Sequence, residues 1–129
     1  MNMTVKECRL EKAAVCSEED SIQNVAKKLK ETGQRHVLVL KKQMPIGIIS
    51  AVDIVNKIVV TGKNVKKTKA KEIMNKVKCI HHDENVARAY FAMAKENFIS
   101  CPVVENKKYI GNLNLHEAVR YIAEKNAKK

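Results

Sequence analysis

Gly47-Ile48-Ile49-Ser50-Ala51-Val52-Asp53 carries an apolar run into a serine, and an aspartate follows three residues later. The pattern returns sixty-four residues on as Gly111-Asn112-Leu113-Asn114-Leu115-His116-Glu117. Shifted by that period, residues 15–60 lie on 79–124 without a gap. Ile22 falls on Val86, Val25 on Ala89, Leu29 on Met93, Val39 on Val103, Val55 on Val119 and Ile58 on Ile122. Apolar matches alone arise between any two similar segments. A glycine, a polar residue and an acid at matched offsets make chance a poor account. The period is far longer than one solenoid unit, so the pattern points to a duplicated subdomain paired about a pseudo-twofold axis.

Working outward, residues 13–16 read as a short strand, and Asp20 or Ser21 offers N-cap chemistry for a helix. Ile22, Val25, Ala26 and Leu29 recur at helical spacing, and Gly33 supplies a C-terminal stop. Residues 36–40 form a β-rich run, residues 41–45 with Pro45 turn the chain, and residues 46–50 return as a hairpin strand. Residues 52–60 read as a helix with Val52, Val55 and Val59 on one face and Ile54 and Ile58 beside them. The second copy gives a strand at 79–80, a cap at Asp83 and a helix over 86–96. Strands at 101–104 and 109–113 follow, joined by a turn at 105–108, then a helix over 115–124. Residues 125–129 are polar and expected to fray. Single helical turns fit residues 4–9 and 71–74. The segments therefore divide as 1–62, a basic connector 63–78, and 79–129.

The chain of 129 residues is 45% apolar, enough for a real core, yet each half alone is marginal in size. That favours two halves packed together. The formal charge is +11, and residues 57–78 hold eight lysines against one glutamate. Such a strip reads as a solvated linker or as a non-specific nucleic-acid contact; no aromatic interleaves with it, which counts against base stacking. Cys8, Cys16, Cys79 and Cys101 form no C-x-x-C pair. Core packing in a reduced, cytoplasmic setting is expected for them. No secretory leader or membrane-length apolar run is present, so no membrane role is expected. His81-His82-Asp83 is a poor metal motif, since adjacent strand residues point to opposite faces. No nucleophile–base spacing, P-loop or paired carboxylate appears, so the chain is not expected to be an enzyme.

The β-α-β-β-α order in each half, Cys101-Pro102-Val103-Val104 before a turn, and Gly47 to Asp53 together resemble tandem CBS domains, the pair called a Bateman module. The resemblance covers nearly the whole chain. It implies an α+β fold of two pseudo-twofold related subdomains, with facing sheets and outer helices. It also implies a regulatory module, often a homodimer, that takes AMP, ADP, ATP or S-adenosylmethionine between the repeats. On that resemblance Asp53 holds the ribose, Ser50 the phosphate, and Ile48 beside Gly47 lines the adenine. Arg35 and His36 stand where the family often has a basic residue. Lys78 is a weaker candidate, and the backbone around Lys78 and Cys79 would meet the adenine. An equally physical reading makes Ser50 and Asp53 a helix cap and nothing more. In the second copy Asn114 and Glu117 replace the serine and aspartate, and Asn112 replaces the apolar wall, so that site is expected to be weaker.

Overall fold

Val37 and Val39 point to one side of a strand and meet Ile22 and Val25 from a helix, and this contact organises the first half of the fold. The computed structural model describes residues 3–127. They form two units: Ala13–Val77, and residues 3–12 with 78–127.

In the first unit, β1 (Ala14–Ser17) is followed by α1 (Ile22–Thr32), β2 (His36–Lys41), β3 (Met44–Ser50) and α2 (Ala51–Ile54). A π-helical turn, Val55–Val59, continues α2, and a short α3 (Ala70–Ile73) comes later. The central strand β2 pairs parallel with β1 and antiparallel with β3. Of the two cap candidates, Ser21 is the N-cap of α1: its hydroxyl accepts from Asn24 N–H at 3.2 Å. Asp20 instead accepts from Ser17 N–H. Gly33 ends α1 in the left-handed conformation, φ 69°, donating its N–H to Leu29 O. Ala14, Cys16, Ile22, Val25, Val37, Val39, Ile49 and Ile58 form the core with Ala70 and Ile73.

The second unit repeats the plan. β4 (Ile80–His81), α4 (Val86–Lys95), β5 (Ser100–Glu105), β6 (Lys108–Asn114) and α5 (Leu115–Ala127) give the sheet order β4-β5-β6, with β5 central. Val86, Ala89, Met93, Cys101, Val103, Leu113, Ala118 and Tyr121 pack with Val5 and Cys8. The fold is thus α+β, with two three-stranded sheets.

The duplication reaches the irregularities. Between Val39/Leu40 and again between Val103/Val104 the hairpin register slips, leaving Ile46 and Ile110 as bulge residues. Both hairpins close through two residues at positive φ, Lys42-Gln43 and Asn106-Lys107. This shortens the turns expected at 41–45 and 105–108. Pro45 lies inside β3, an edge strand, next to the bulge, where a missing N–H is tolerated.

Other expectations are corrected in the same way. Asn85, not Asp83, caps α4, accepting from Arg88 N–H at 3.1 Å. The helix expected over 52–60 is α-helical only to Ile54 and then widens, with Val60 N–H bonded to Val55 O at 3.0 Å. Ile58 is buried, while Val52, Val55 and Val59 are 65%, 50% and 67% exposed, so the isoleucine side faces the core. Helix α5 runs to Ala127, so residues 125–127 are helical rather than frayed. Residues 128–129 lie outside the described residues.

The units divide the chain differently from repeats cut at 1–62 and 79–129, because the short lead-in segments change places. Val5–Glu7 makes a 3-10 turn whose Val5 and Lys6 N–H groups bond to Glu84 and His82 carbonyls, each at 2.9 Å. In the first unit the matching positions come from the expected connector: Ala70 and Lys71 N–H bond to Asp20 and Glu18 carbonyls. Met3 O caps Val86 N–H as Thr68 O caps Ile22 N–H. Residues 68–75 are therefore a packed part of the first unit, with Thr68, Ala70 and Ile73 buried, rather than a solvated linker.

Candidate functional site

Strand β3 delivers Ser50 to the point where α2 begins, and the two backbones fix Ser50 and Asp53 against each other. Ser50 Oγ accepts from Asp53 N–H at 3.0 Å, and Asp53 Oδ2 accepts from Ser50 N–H at 2.8 Å. This is a reciprocal capping box. Both side chains are thus committed to the helix start, yet each keeps capacity. The Ser50 hydroxyl retains its proton to donate. Asp53 Oδ1 has the Lys57 ammonium 3.9 Å away, beyond hydrogen-bond reach. Burial pushes the Asp53 carboxyl up, but the bonds from Ser50 N–H and Asn75, with Lys57 nearby, outweigh it and hold the group below the ordinary aspartate value. It is an anion at neutral pH.

The rest of the neighbourhood comes from β2 and from the segment after α3. Arg35 O accepts from Ala51 N–H at 3.3 Å, and His36 pairs with Ser50 across the hairpin. Both side chains are exposed. Ile48 is half-buried, and its backbone forms a two-way bridge with Asn75, each bond 2.9 Å. Met74 crosses Gly47 so closely that a Cβ there would sit 2.8 Å from Met74 Cγ and 2.9 Å from its Cβ. Glycine is required for that crossing, which gives the first residue of the motif a packing reason. The sequence reads Met74 as a core position and Lys57 as part of the lysine strip, and places neither of them, nor Asn75, at the site. The signal available was the repeat: Leu10 crosses Gly111 as Met74 crosses Gly47.

Lys78 and Cys79 fall in the other unit. Lys78 pairs with Glu96 at 3.2 Å, and its carbonyl accepts from Cys101 Sγ. The second copy of the motif is closed by its own neighbours. Asn114 Oδ1 accepts from His116 N–H at 2.8 Å, a local turn. Arg120 grips both oxygens of Glu117, at 2.6 and 2.8 Å, and Arg9 N–H adds a third bond at 2.7 Å. These contacts, Arg120 foremost, hold the Glu117 carboxyl below its ordinary value. Asn112 is tied to Ser100 and Tyr109. The lysine strip is partly spent as well: Lys69 and Lys71 clamp Glu19, at 2.6 and 2.8 Å, holding its carboxyl down to about 2. A shallow groove of about 430 Å³ lies at the hairpin-turn end of the first sheet, away from Ser50, and is lined by Cys16, Glu18, Lys28 and Lys41 among others. Two of its lysines are already engaged: Lys28 donates to Val15 O, and Lys41 faces Glu18 at 3.7 Å. Among the described residues no helix is long and apolar enough to cross a membrane.

Two matched βαββα halves, each with a glycine crossed by a lead-in segment and an acid one turn into the following helix, define a CBS pair. The CBS-domain family profile matches residues 5–60 and again 70–124, and the chain belongs to that family. Members of this family are typically regulatory, and CBS pairs as a class bind adenosyl ligands. Among relatives, the chain is 28% identical over 113 residues to the mitochondrial CBS domain-containing protein CBSX3 of Arabidopsis thaliana, covering 83% of this chain and 55% of that one. It is 32% identical over 99 residues to an uncharacterized protein of Methanopyrus kandleri, covering 74% of this chain and 50% of that one. The chain thus spans about half the length of these relatives. A CBS domain-containing protein from Thermotoga maritima shares the fold, with TM-score 0.69, 23% identity, and coverage of 95% of this chain and 96% of that one.

Proposed function

We propose that the chain is a non-catalytic sensor module that takes one adenosyl ligand, AMP, ADP, ATP or S-adenosylmethionine, at the Ser50–Asp53 junction. The observation that supports this most is the contrast between the two acids. Asp53 Oδ1 is unclaimed by any hydrogen bond among the described residues, whereas both oxygens of Glu117 are taken. In this reading Asp53 accepts from the ribose and Ser50 donates to phosphate, with Arg35 and His36 supplying positive charge from the adjacent strand end. Ile48 and Gly47 form the wall for adenine. Asn114 and Glu117 form at most a weaker second site. Copies pair through exposed apolar helix faces, a reading supported by Val52, Val55 and Val59 and by Phe91 and Val119. Four free cysteines fit a reducing, cytoplasmic setting. No observation favours nucleic-acid binding through residues 57–78.

Thermal melting with each of the four ligands tests the proposal. A ligand at 100 times its dissociation constant adds about 2.7 kcal/mol. At this size that is a shift of roughly 8–14 °C. No shift with any of the four contradicts the reading.

A further inference from the structure

Asn75 touches both ends of the proposed site at once. Its backbone is paired with Ile48, and its side-chain Nδ2 donates to Asp53 Oδ2 at 2.9 Å. Its Oδ1 accepts from Lys57 Nζ at 2.8 Å, and Lys57 is itself anchored on Ile73 O at 2.8 Å. These neighbours settle the amide orientation, because an ammonium only donates and a carboxylate only accepts. Asp53 Oδ2 also takes Ser50 N–H at 2.8 Å. A carboxylate oxygen has two lone-pair positions, so Oδ2 is full; Oδ1 is the oxygen left for a ligand, and the Lys57 ammonium 3.9 Å away competes for one of its two positions.

A vicinal diol gripped by both oxygens of one carboxylate needs room on each. We infer that Asn75, held in place by Lys57, is a specificity-determining residue that fills Oδ2, so that Asp53 reads a single ribose hydroxyl through Oδ1. The inference rests on the adenosyl-ligand reading above and narrows it. Among the described residues the second unit has no such device: there the lead-in segment reaches Glu117 through a backbone group, Arg9 N–H, and Arg120 bonds to both carboxylate oxygens.

Titration calorimetry with AMP and ATP in their ribo, 2′-deoxy and 3′-deoxy forms tests this on wild type and Asn75→Ala. For wild type, one deoxy form binds within about two-fold of the ribonucleotide. The other is weaker by roughly ten-fold or more, the loss of one hydrogen bond to a charged group. Asn75→Ala frees Oδ2, and both deoxy forms then bind more weakly than the ribonucleotide. A merely structural role for Asn75 would change all forms by one common factor. That result, or a wild type that penalises both deoxy forms equally, overturns the inference. Where Asn75→Ala fails to fold, Lys57→Met loosens the same amide and should narrow the gap between the two deoxy forms; an unchanged gap counts against the inference. A wild type that binds none of the nucleotides also overturns it, and the adenosyl reading itself fails only if S-adenosylmethionine is silent too.

Discussion

Asp53→Ala measures how much of the Ser50–Asp53 pairing stabilises the fold before any ligand arrives. The substitution removes the acceptor of Ser50 N–H at 2.8 Å and of Asn75 Nδ2 at 2.9 Å. Loss of a capping partner costs about 1 kcal/mol. The amide bond adds roughly 1 kcal/mol, the low end for a charged acceptor, because Asn75 is exposed and water can replace Asp53. The total of about 2 kcal/mol corresponds to a fall in Tm of roughly 6–10 °C at this chain length. The pH dependence carries a definite sign. The Asp53 carboxyl lies below its ordinary value in the folded protein, so its contribution is full above the unfolded pKa, near pH ~4. It is lost as pH falls through the lower folded value. Melting followed by circular dichroism at pH 7, 5, 3.5 and 2.5 should show a constant gap between wild type and variant down to about pH 4, then a shrinking one. Equal melting at pH 7, or a gap undiminished at pH 2.5, would refute the reasoning.

Other consequences are open to simple assays. Gly47→Ala pushes a methyl into Met74 and should cost about 1–3 kcal/mol in a denaturant melt, and Met74→Ala in the same chain should recover part of it. A fragment of residues 1–62 lacks Ala70 and Ile73 from its core and should show no cooperative unfolding transition, whereas residues 13–77 should retain more structure. Burial pushes the Cys101 thiol up to about 12 and those of Cys8 and Cys16 to about 11. At pH 8 a thiol reagent should therefore modify these three at the rate of unfolding, with the half-buried Cys79 reacting first.

The features legible in the sequence were those with a local cause. Gly33 stops α1 because only glycine takes that φ at no steric cost, and Ser21 caps it because a hydroxyl reaches the third N–H. The repeat was legible because two copies of the same fold bury the same positions. What the sequence concealed depends on distant pairing. Lys42-Gln43 carries no turn signature, and Pro45 drew the turn too far along, since nothing local tells an edge-strand proline from a turn proline. The exchange of lead-in segments was hidden for the same reason. Val5 and Ala70 look alike in sequence, but which sheet each joins is a matter of chain path. At the site, Ser50 and Asp53 were visible as a motif with two readings, cap or ligand site. The cap is present, and one carboxylate oxygen is left over. Asn75 was invisible because its partner lies twenty-two residues away.

The central claim is one adenosyl site per chain, built on Asp53 and not on Glu117. Calorimetric stoichiometry with the tightest of AMP, ADP, ATP and S-adenosylmethionine tests it on wild type, Asp53→Ala and Glu117→Ala. The account predicts one ligand per chain, lost in Asp53→Ala and kept in Glu117→Ala. Two equivalent ligands per chain, or binding that survives Asp53→Ala, would contradict it.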